Sequence, residues 1–273
     1  MNKSVTTDFR PMTRGHNFVV QSDGGNAKAL VILPPFADEM NKSRHIISQF
    51  MRQATALGYS CILMDHFGTG DSEGDLSEAS LALWQADLTL LVEQLAADGY
   101  RQLSFLAIRF GAIQLLDLLN QSNLALPVKH VMFWHPIFEL KKFWQQFFRV
   151  KIAEQMALGE KLSQKELEQQ LVDGEVIEIA GYPISPTFYA STYEGDFTLP
   201  GGLTGINPLI SWFEVSQMTT PGANVQKYLS QLQQSCPVNF KMVAEAPFWN
   251  TTELASADTL LNASVQQLVQ QDV

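Results

Sequence analysis

Residues 103 to 120 read Leu103-Ser-Phe-Leu-Ala107-Ile108-Arg109-Phe110-Gly111-Ala-Ile-Gln-Leu-Leu-Asp-Leu-Leu-Asn120. The apolar run Gln102 to Ala107 suits a strand buried on both faces, and Phe110 to Asn120 has the spacing of a helix. Between them the chain must turn sharply, with small residues, Ala107 and Gly111, on either side of Arg109. The same alternation extends outward. Ala29 to Leu33 is a fully apolar run stopped by Pro34-Pro35, and Tyr59 to Asp65 and Val128 to Trp134 are further strands. Glu39 to Leu57 and Ser77 to Asp98 read as the intervening helices, ended by Gly58 and Gly99. Strand and helix alternating at this spacing predict right-handed βαβ units and a mostly parallel sheet. Asn17 to Gln21 adds a short strand before them. After them the rhythm lapses from Pro136 to about Leu199, which is aromatic and Gln-rich and then helical from Glu154 to Gln170, with a short strand at Gly174 to Ala180. It resumes with Leu209 to Val215, Ala223 to Gln234, Val238 to Val243 and a last helix near Thr252 to Gln270.

Composition narrows the class. Of 273 residues, 46% are hydrophobic and 17% charged, enough to bury a large core and too apolar for a disordered chain. Eighteen basic against 28 acidic residues leave a net charge of -10, which argues against nucleic-acid binding. Cys61 and Cys236 lie in strand-like runs and fit neither zinc nor redox spacing. No metal or cofactor motif is present. With no secretory h-region in Met1 to Arg10 and no apolar stretch of transmembrane length, a cytoplasmic protein without a transmembrane segment is expected, its oligomeric state left open.

Ligands in such sheets bind outside the carboxyl ends of the strands, which selects the loops at Pro34 to Glu39, Asp65 to Ser72, Ala107 to Gly111 and His135 to Phe138. The loop Asp65-x-x-Gly68-x-Gly70-x-Ser72-x-Gly74 lacks the dinucleotide register and resembles the loop after the fourth strand of α/β-hydrolase proteins. In that fold the turn at Ala107 to Gly111 is the nucleophile elbow, G-x-S-x-G. Here Arg109 stands at the nucleophile position, and a guanidinium offers no nucleophilic oxygen or sulfur. The triad's late histidine is also missing. The five histidines are His16, His45, His66, His130 and His135, and the stretch after the last strand reads Glu245-Ala-Pro-Phe-Trp-Asn250. Glu214 occupies the acid position with no nucleophile-base pair to orient.

Pro34-Pro-Phe-Ala-Asp-Glu-Met-Asn-Lys-Ser-Arg44 resembles the signature of exosortase A system-associated hydrolase 2 proteins. So do the Gly-Asp-Ser-x-Gly-Asp75 loop, the Arg at the elbow, Pro247-Phe-Trp249 and Ala180-Gly-Tyr-x-Ile-Ser185. The resemblance spans nearly the whole chain. It implies an α/β-hydrolase fold in which residues 1–273 form one domain, with residues 136–199 inserted as a cap after the sixth strand. It also implies a Gram-negative setting of exopolysaccharide production and exosortase-dependent sorting, with exopolysaccharide or exosortase system proteins as partners.

Each candidate residue has a plain reading beside a functional one. Arg109 is either an anion site, helped by the helix N-terminus at Phe110, or one half of an internal ion pair with Asp65, Asp38 or Glu39, and the pair is favoured. With no nucleophile to present, a relaxed turn is expected there. Pro35 lacks an N–H, so Phe36 or Ala37 would supply the oxyanion-hole donor. Asp38 and Glu39 are either an acid/base pair or a cation site, or they open the helix, and the last is favoured. His135 and His66 are candidates for a relocated base, with Asp65 and Asp38 as carboxylates. Their plain roles are hydrogen-bonded aromatic neighbours and a loop brace. Phe133, Trp134, Phe138, Phe143, Trp144, Phe147 and Phe148 line an acyl or isoprenoid pocket, form a membrane-facing or partner surface, or pack a cap on the core, and packing is favoured. Three functions follow: a degenerate hydrolase-fold protein binding a small anionic or acylated ligand or a partner, an active ester or thioester hydrolase with a rearranged site, or a structural partner with a filled pocket. The first is favoured.

Overall fold

In a computed structural model, the structure describes residues 5–121, 123–193, 203, 206–251 and 254–271. Eight strands form one sheet in the order β1-β2-β4-β3-β5-β6-β9-β10. They are β1 (Val5–Pro11), β2 (His16–Ser22), β3 (Lys28–Leu33), β4 (Ser60–Met64), β5 (Gln102–Ile108), β6 (Val128–Trp134), β9 (Leu209–Val215) and β10 (Val238–Val243). β3, β4, β5, β6, β9 and β10 run parallel, and the β1–β2 hairpin adds an antiparallel edge against β4. β3, β4 and β5 are buried along almost their whole length, as uninterrupted apolar runs require.

Helices cover both faces. α2 (Leu81–Ala97), α3 (Gly111–Gln121) and α7 (Ala223–Gln233) pack on one side through Leu91, Leu95, Leu115 and Leu232. α1 (Asp38–Ala56) and α8 (Asp258–Gln271) pack on the other through Ile47, Phe50, Leu260 and Leu268. α8 begins later than expected, and Thr252, where that helix was placed, lies outside the described residues. The helix read from Ser77 is a short 3-10 turn at Leu76–Glu78 followed by α2, whose start is fixed by the Ser80 side chain accepting from the Leu83 N–H.

Between β6 and β9 the chain leaves the sheet. It forms α4 (Leu140–Ala157), α5 (Gln164–Val172), the hairpin β7 (Ile177–Ile179)–β8 (Tyr182–Ile184) and α6 (Pro186–Tyr193). Residues 194–199 of the expected cap lie outside the described residues. The single helix read over Glu154 to Gln170 is two, because Leu158 ends α4 and a capping box at Ser163 and Glu166 starts α5. This segment lies over the carboxyl ends of the strands. Phe143, Trp144, Phe147 and Phe188 all pack against Phe36, which follows β3. Phe133 and Trp134, grouped with these rings in the sequence, belong elsewhere. As neighbours on a strand they point to opposite faces and join the two sheet cores.

Candidate functional site

The turn between β5 and α3 keeps the conformation of an elbow. Arg109 has φ 53°, in the left-handed region that a side chain adopts at a cost, so the expected relaxed turn is not what forms. The turn is held by its surroundings: the Arg109 N–H donates to the Trp134 carbonyl (3.1 Å), and the Arg109 carbonyl accepts from Ile137 (3.1 Å) and Ala112 (3.1 Å). Gly111 is required because a Cβ there would press into the carbonyl oxygen of Leu33 on β3. The geometry that presents a nucleophile is retained, and it presents a guanidinium.

That guanidinium makes a two-pronged pair with Glu39 in the first turn of α1, Nε to Oε2 at 3.1 Å and Nη2 to Oε1 at 2.9 Å. The side chains are 9% and 20% exposed. The planar fork matches both carboxylate oxygens, the geometry that makes such pairs strong when they are desolvated. Trp249 lies against the same guanidinium, its ring centre 4.7 Å away. Trp249 belongs to the segment after β10, where the hydrolase pattern would put its histidine. Of the three acids weighed for Arg109, Glu39 takes it. Asp65 pairs with Arg44 (2.9 Å) and braces its own loop by accepting from the Asp71 N–H (3.1 Å). Asp38 pairs with Lys42 (2.7 Å).

Both relocated-base candidates, His66 and His135, are buried, which lowers their basicity. His66 is buried, stacked on Trp84 at 4.6 Å, with Nε2 3.1 Å from Gln114 Oε1. Burial pushes its pKa down to about 4, against smaller opposing effects of Gln114 and Asp65. His135 follows β6 with φ 42° and packs on Trp249 at 4.8 Å. Its Nδ1 is 3.2 Å from Glu214 Oε1 but lacks the alignment of a hydrogen bond. Burial, and then the nearby Arg109 charge, push His135 down to about 3. Burial pushes Glu214 up to about 7, against the hydrogen bond from Trp212 Nε1 (2.9 Å) and the Arg109 charge. Burial thus disfavours the charged form of each partner, lowering the basicity of His135 and raising the pKa of Glu214, which weakens the two as an ion pair. A general base works best with a pKa near the operating pH, and His66 and His135 lie far below it.

Arg109 lines an open cleft of about 420 Å³. Its polar end holds Arg109, Glu39, Asp38 and Lys42; its apolar wall includes Phe143, Phe147 and Val150 of α4 and Trp249. Ala37 (φ 56°) is the N-cap of α1, and Ala180 (φ 50°) lines the cleft from the β7–β8 turn. Ala37, Arg109, His135 and Ala180 are four of the five non-glycine residues with positive φ among those described, and all lie at or beside the cleft. The oxyanion-hole position is less open. The Phe36 ring is buried under the aromatic residues of α4 and α6, and Phe110 packs on it at 5.3 Å. In the first turn of α3 the Ala112 and Ile113 N–H groups already donate to the Arg109 (3.1 Å) and Phe110 (3.0 Å) carbonyls. On the other side of Phe36, a separate cavity of about 40 Å³ is lined by Arg44, Asp65, His66 and Tyr182, so the histidine and aspartate candidates of that loop do not share the Arg109 cleft. No group of three metal-ligating side chains occurs among the described residues.

Comparison with known proteins fixes the class at the level of fold. Est1E of Butyrivibrio proteoclasticus, solved with ferulic acid bound, superposes with a TM-score of 0.71 at 10% identity over 97% of this chain and 98% of its own. The esterase Pf2001 of Pyrococcus furiosus gives 0.64 at 13% identity over 98% of this chain and 91% of its own. Mouse alpha/beta hydrolase domain-containing protein 10 gives 0.60 at 12% identity over 98% of this chain and 100% of its own. The protein has the α/β-hydrolase fold. In sequence, the mitochondrial palmitoyl-protein thioesterase ABHD10 of Homo sapiens is 30% identical over 76 residues, which is 28% of this chain and 24% of that one. The match thus spans about a quarter of that relative's length. No protein-family model matches the chain. No helix among the described residues is long and apolar enough to cross a membrane.

Proposed function

We propose that this α/β-hydrolase-fold protein does not hydrolyse through its elbow and instead binds a small anionic or acylated ligand in the cleft over Arg109. The observation that carries the reading is the substitution of function at one position: an elbow kept in its costly conformation presents, into an open cleft, a guanidinium already braced by Glu39 and Trp249. Strain persists where the surroundings enforce it, and it clusters here around a cleft rather than being spread over the fold. Of the cap expected over residues 136–199, α4 supplies Phe143, Phe147 and Val150 to the apolar wall. The resemblance to exosortase A system-associated hydrolase 2 proteins supports a cytoplasmic role in exopolysaccharide production and exosortase-dependent sorting, with proteins of that system as partners.

The test is calorimetric titration of the intact chain with octanoate, beside the double variant Arg109→Met/Glu39→Leu. Replacing the pair together avoids stranding a buried charge. Saturable binding that weakens at least tenfold in the double variant is expected. Octanoate binding equal in both proteins, or no binding of either octanoate or its 2-amino analogue, would remove the reading.

A second reading has one observation behind it. Glu214 and His135 stand side by side at the ends of β9 and β6, the arrangement of an acid and a histidine in a hydrolase. It makes this a rearranged ester or thioester hydrolase, the activity named for ABHD10. The depressed basicity of His135 weighs against it.

A further inference from the structure

The charges around the Arg109 cleft occur as two closed pairs, Arg109 with Glu39 and Lys42 with Asp38, all four residues lining the same space. Their formal charges cancel. A bare anion entering this end would approach Arg109 only while approaching Glu39, or would have to pull the carboxylate off a nearly buried guanidinium. A bare cation meets the mirror problem at Arg109. Both are disfavoured by the same rule: like charges brought close in a partly desolvated site repel strongly.

A head group bearing both signs avoids this. Glu39 takes Nε and Nη2 of Arg109, which leaves Nη1 outside the fork. Each Glu39 oxygen accepts one bond from Arg109 and has a second lone pair. A carboxylate can therefore lie along the outer side of the guanidinium while an ammonium lies on the carboxylates of Glu39 or Asp38, with neither resident pair broken. Beyond the charged end, Phe143, Phe147 and Val150 offer an apolar wall and no further charge. Resting on the cleft-binding reading above and narrowing it, we propose that the carboxylate-bearing ligand also carries an ammonium, as a small zwitterion with an apolar tail of the class of an apolar α-amino acid, and that a simple fatty anion binds the same cleft more weakly.

Calorimetric titration of the intact protein with three probes of equal tail length tests this: 2-aminooctanoate, octanoate and octylamine. The zwitterion is expected to bind at least tenfold more tightly than either singly charged probe. In Glu39→Gln the order between zwitterion and octanoate should reverse, because the ammonium loses a carboxylate and the anion loses a repulsion. Asp38→Asn, at a half-exposed helix start where folding is not at stake, should weaken the zwitterion and leave octanoate unchanged or tighter. Octanoate binding as tightly as 2-aminooctanoate in the wild type would overturn the zwitterion proposal and leave the cleft reading standing. Octylamine matching 2-aminooctanoate would also overturn the zwitterion proposal. No binding of any probe by folded protein would overturn both.

Discussion

Removing Glu39 tests the elbow pair most sharply, because the sign of the result depends on what is removed with it. In Glu39→Ala the guanidinium stays where it is, 9% exposed in the native protein, without its carboxylate. Breaking a buried pair from one side costs ~3–5 kcal/mol. Two features lower that figure here: Trp249 still faces the guanidinium at 4.7 Å, and water in the cleft can reach its outer edge. A loss of about 3 kcal/mol is expected, a fall in Tm of roughly 6–9 °C for a domain of this size. Glu39→Gln keeps one acceptor and should lose about 1–2 kcal/mol. Replacing both partners by apolar groups of similar volume is often neutral or stabilising, so Arg109→Met/Glu39→Leu should fall within about 1 kcal/mol of wild type. Urea unfolding of these proteins and of the singles Arg109→Met and Glu39→Leu, compared at equal m-value, measures this. A single variant within ~0.5 kcal/mol of wild type, or a double variant as unstable as the sum of its singles, would refute the claim that the pair is a desolvated, mutually dependent unit.

Three other outcomes follow from the same geometry. Glu214 binds its proton up to about pH 7 in the fold but only to about 4.5 when exposed, so its contribution to stability is present at low pH and lost as pH rises through 7. Relative to wild type, Glu214→Gln should therefore gain about 2–3 kcal/mol between pH 5 and pH 8 in urea titrations, and parallel profiles would contradict the raised value. His66, His130 and His135 have the opposite sign, being held neutral down to about 4, 3 and 3, so thermal stability should drop steeply as pH falls below about 6.5. A Tm unchanged from pH 7 to pH 4.5 would count against that burial. Gly111→Ala places a methyl against the Leu33 carbonyl, and both are backbone-anchored, so a loss above ~3 kcal/mol or failure to accumulate soluble protein is expected; near-normal stability would mean the elbow is looser than it is drawn.

The parallel sheet was legible because its strands are mostly apolar segments between helical ones: Val128 to Trp134, Leu209 to Val215 and Val238 to Val243 match their strands residue for residue, although β10, at the sheet edge, exposes Asn239 and Lys241. β1 was not read, for the converse reason. Val5–Pro11 is exposed almost throughout and is held by its ladder to β2, so its side chains carry no alternation. The start of α4 was missed because aromatic residues favour helix only weakly, and the burial of Phe143, Trp144 and Phe148 decides it. At the site, the missing nucleophile and histidine could be seen in the residues alone. The partner of Arg109 could not, since Asp38 and Glu39 open α1 while Asp65 follows β4, both at the sheet edge, and only the fold assigns each a different cation. The meeting of His135 with Glu214 required the strand order. β6 and β9 pair with Trp134 opposite Phe213, 79 positions on, which sets the next residues side by side. Trp249 was legible only as part of a resemblance, and nothing in its neighbours predicts that it covers a guanidinium.

The central claim is that an elbow presenting Arg109 does no acyl chemistry. Labelling of the purified protein with a fluorophosphonate probe, run beside turnover of short acyl esters, measures it directly. The account predicts no label and no turnover above buffer in the wild type, in Arg109→Ala and in His135→Ala. Label that maps to a single residue, with turnover abolished in one of those variants, would mean that a working site has been rebuilt around the elbow.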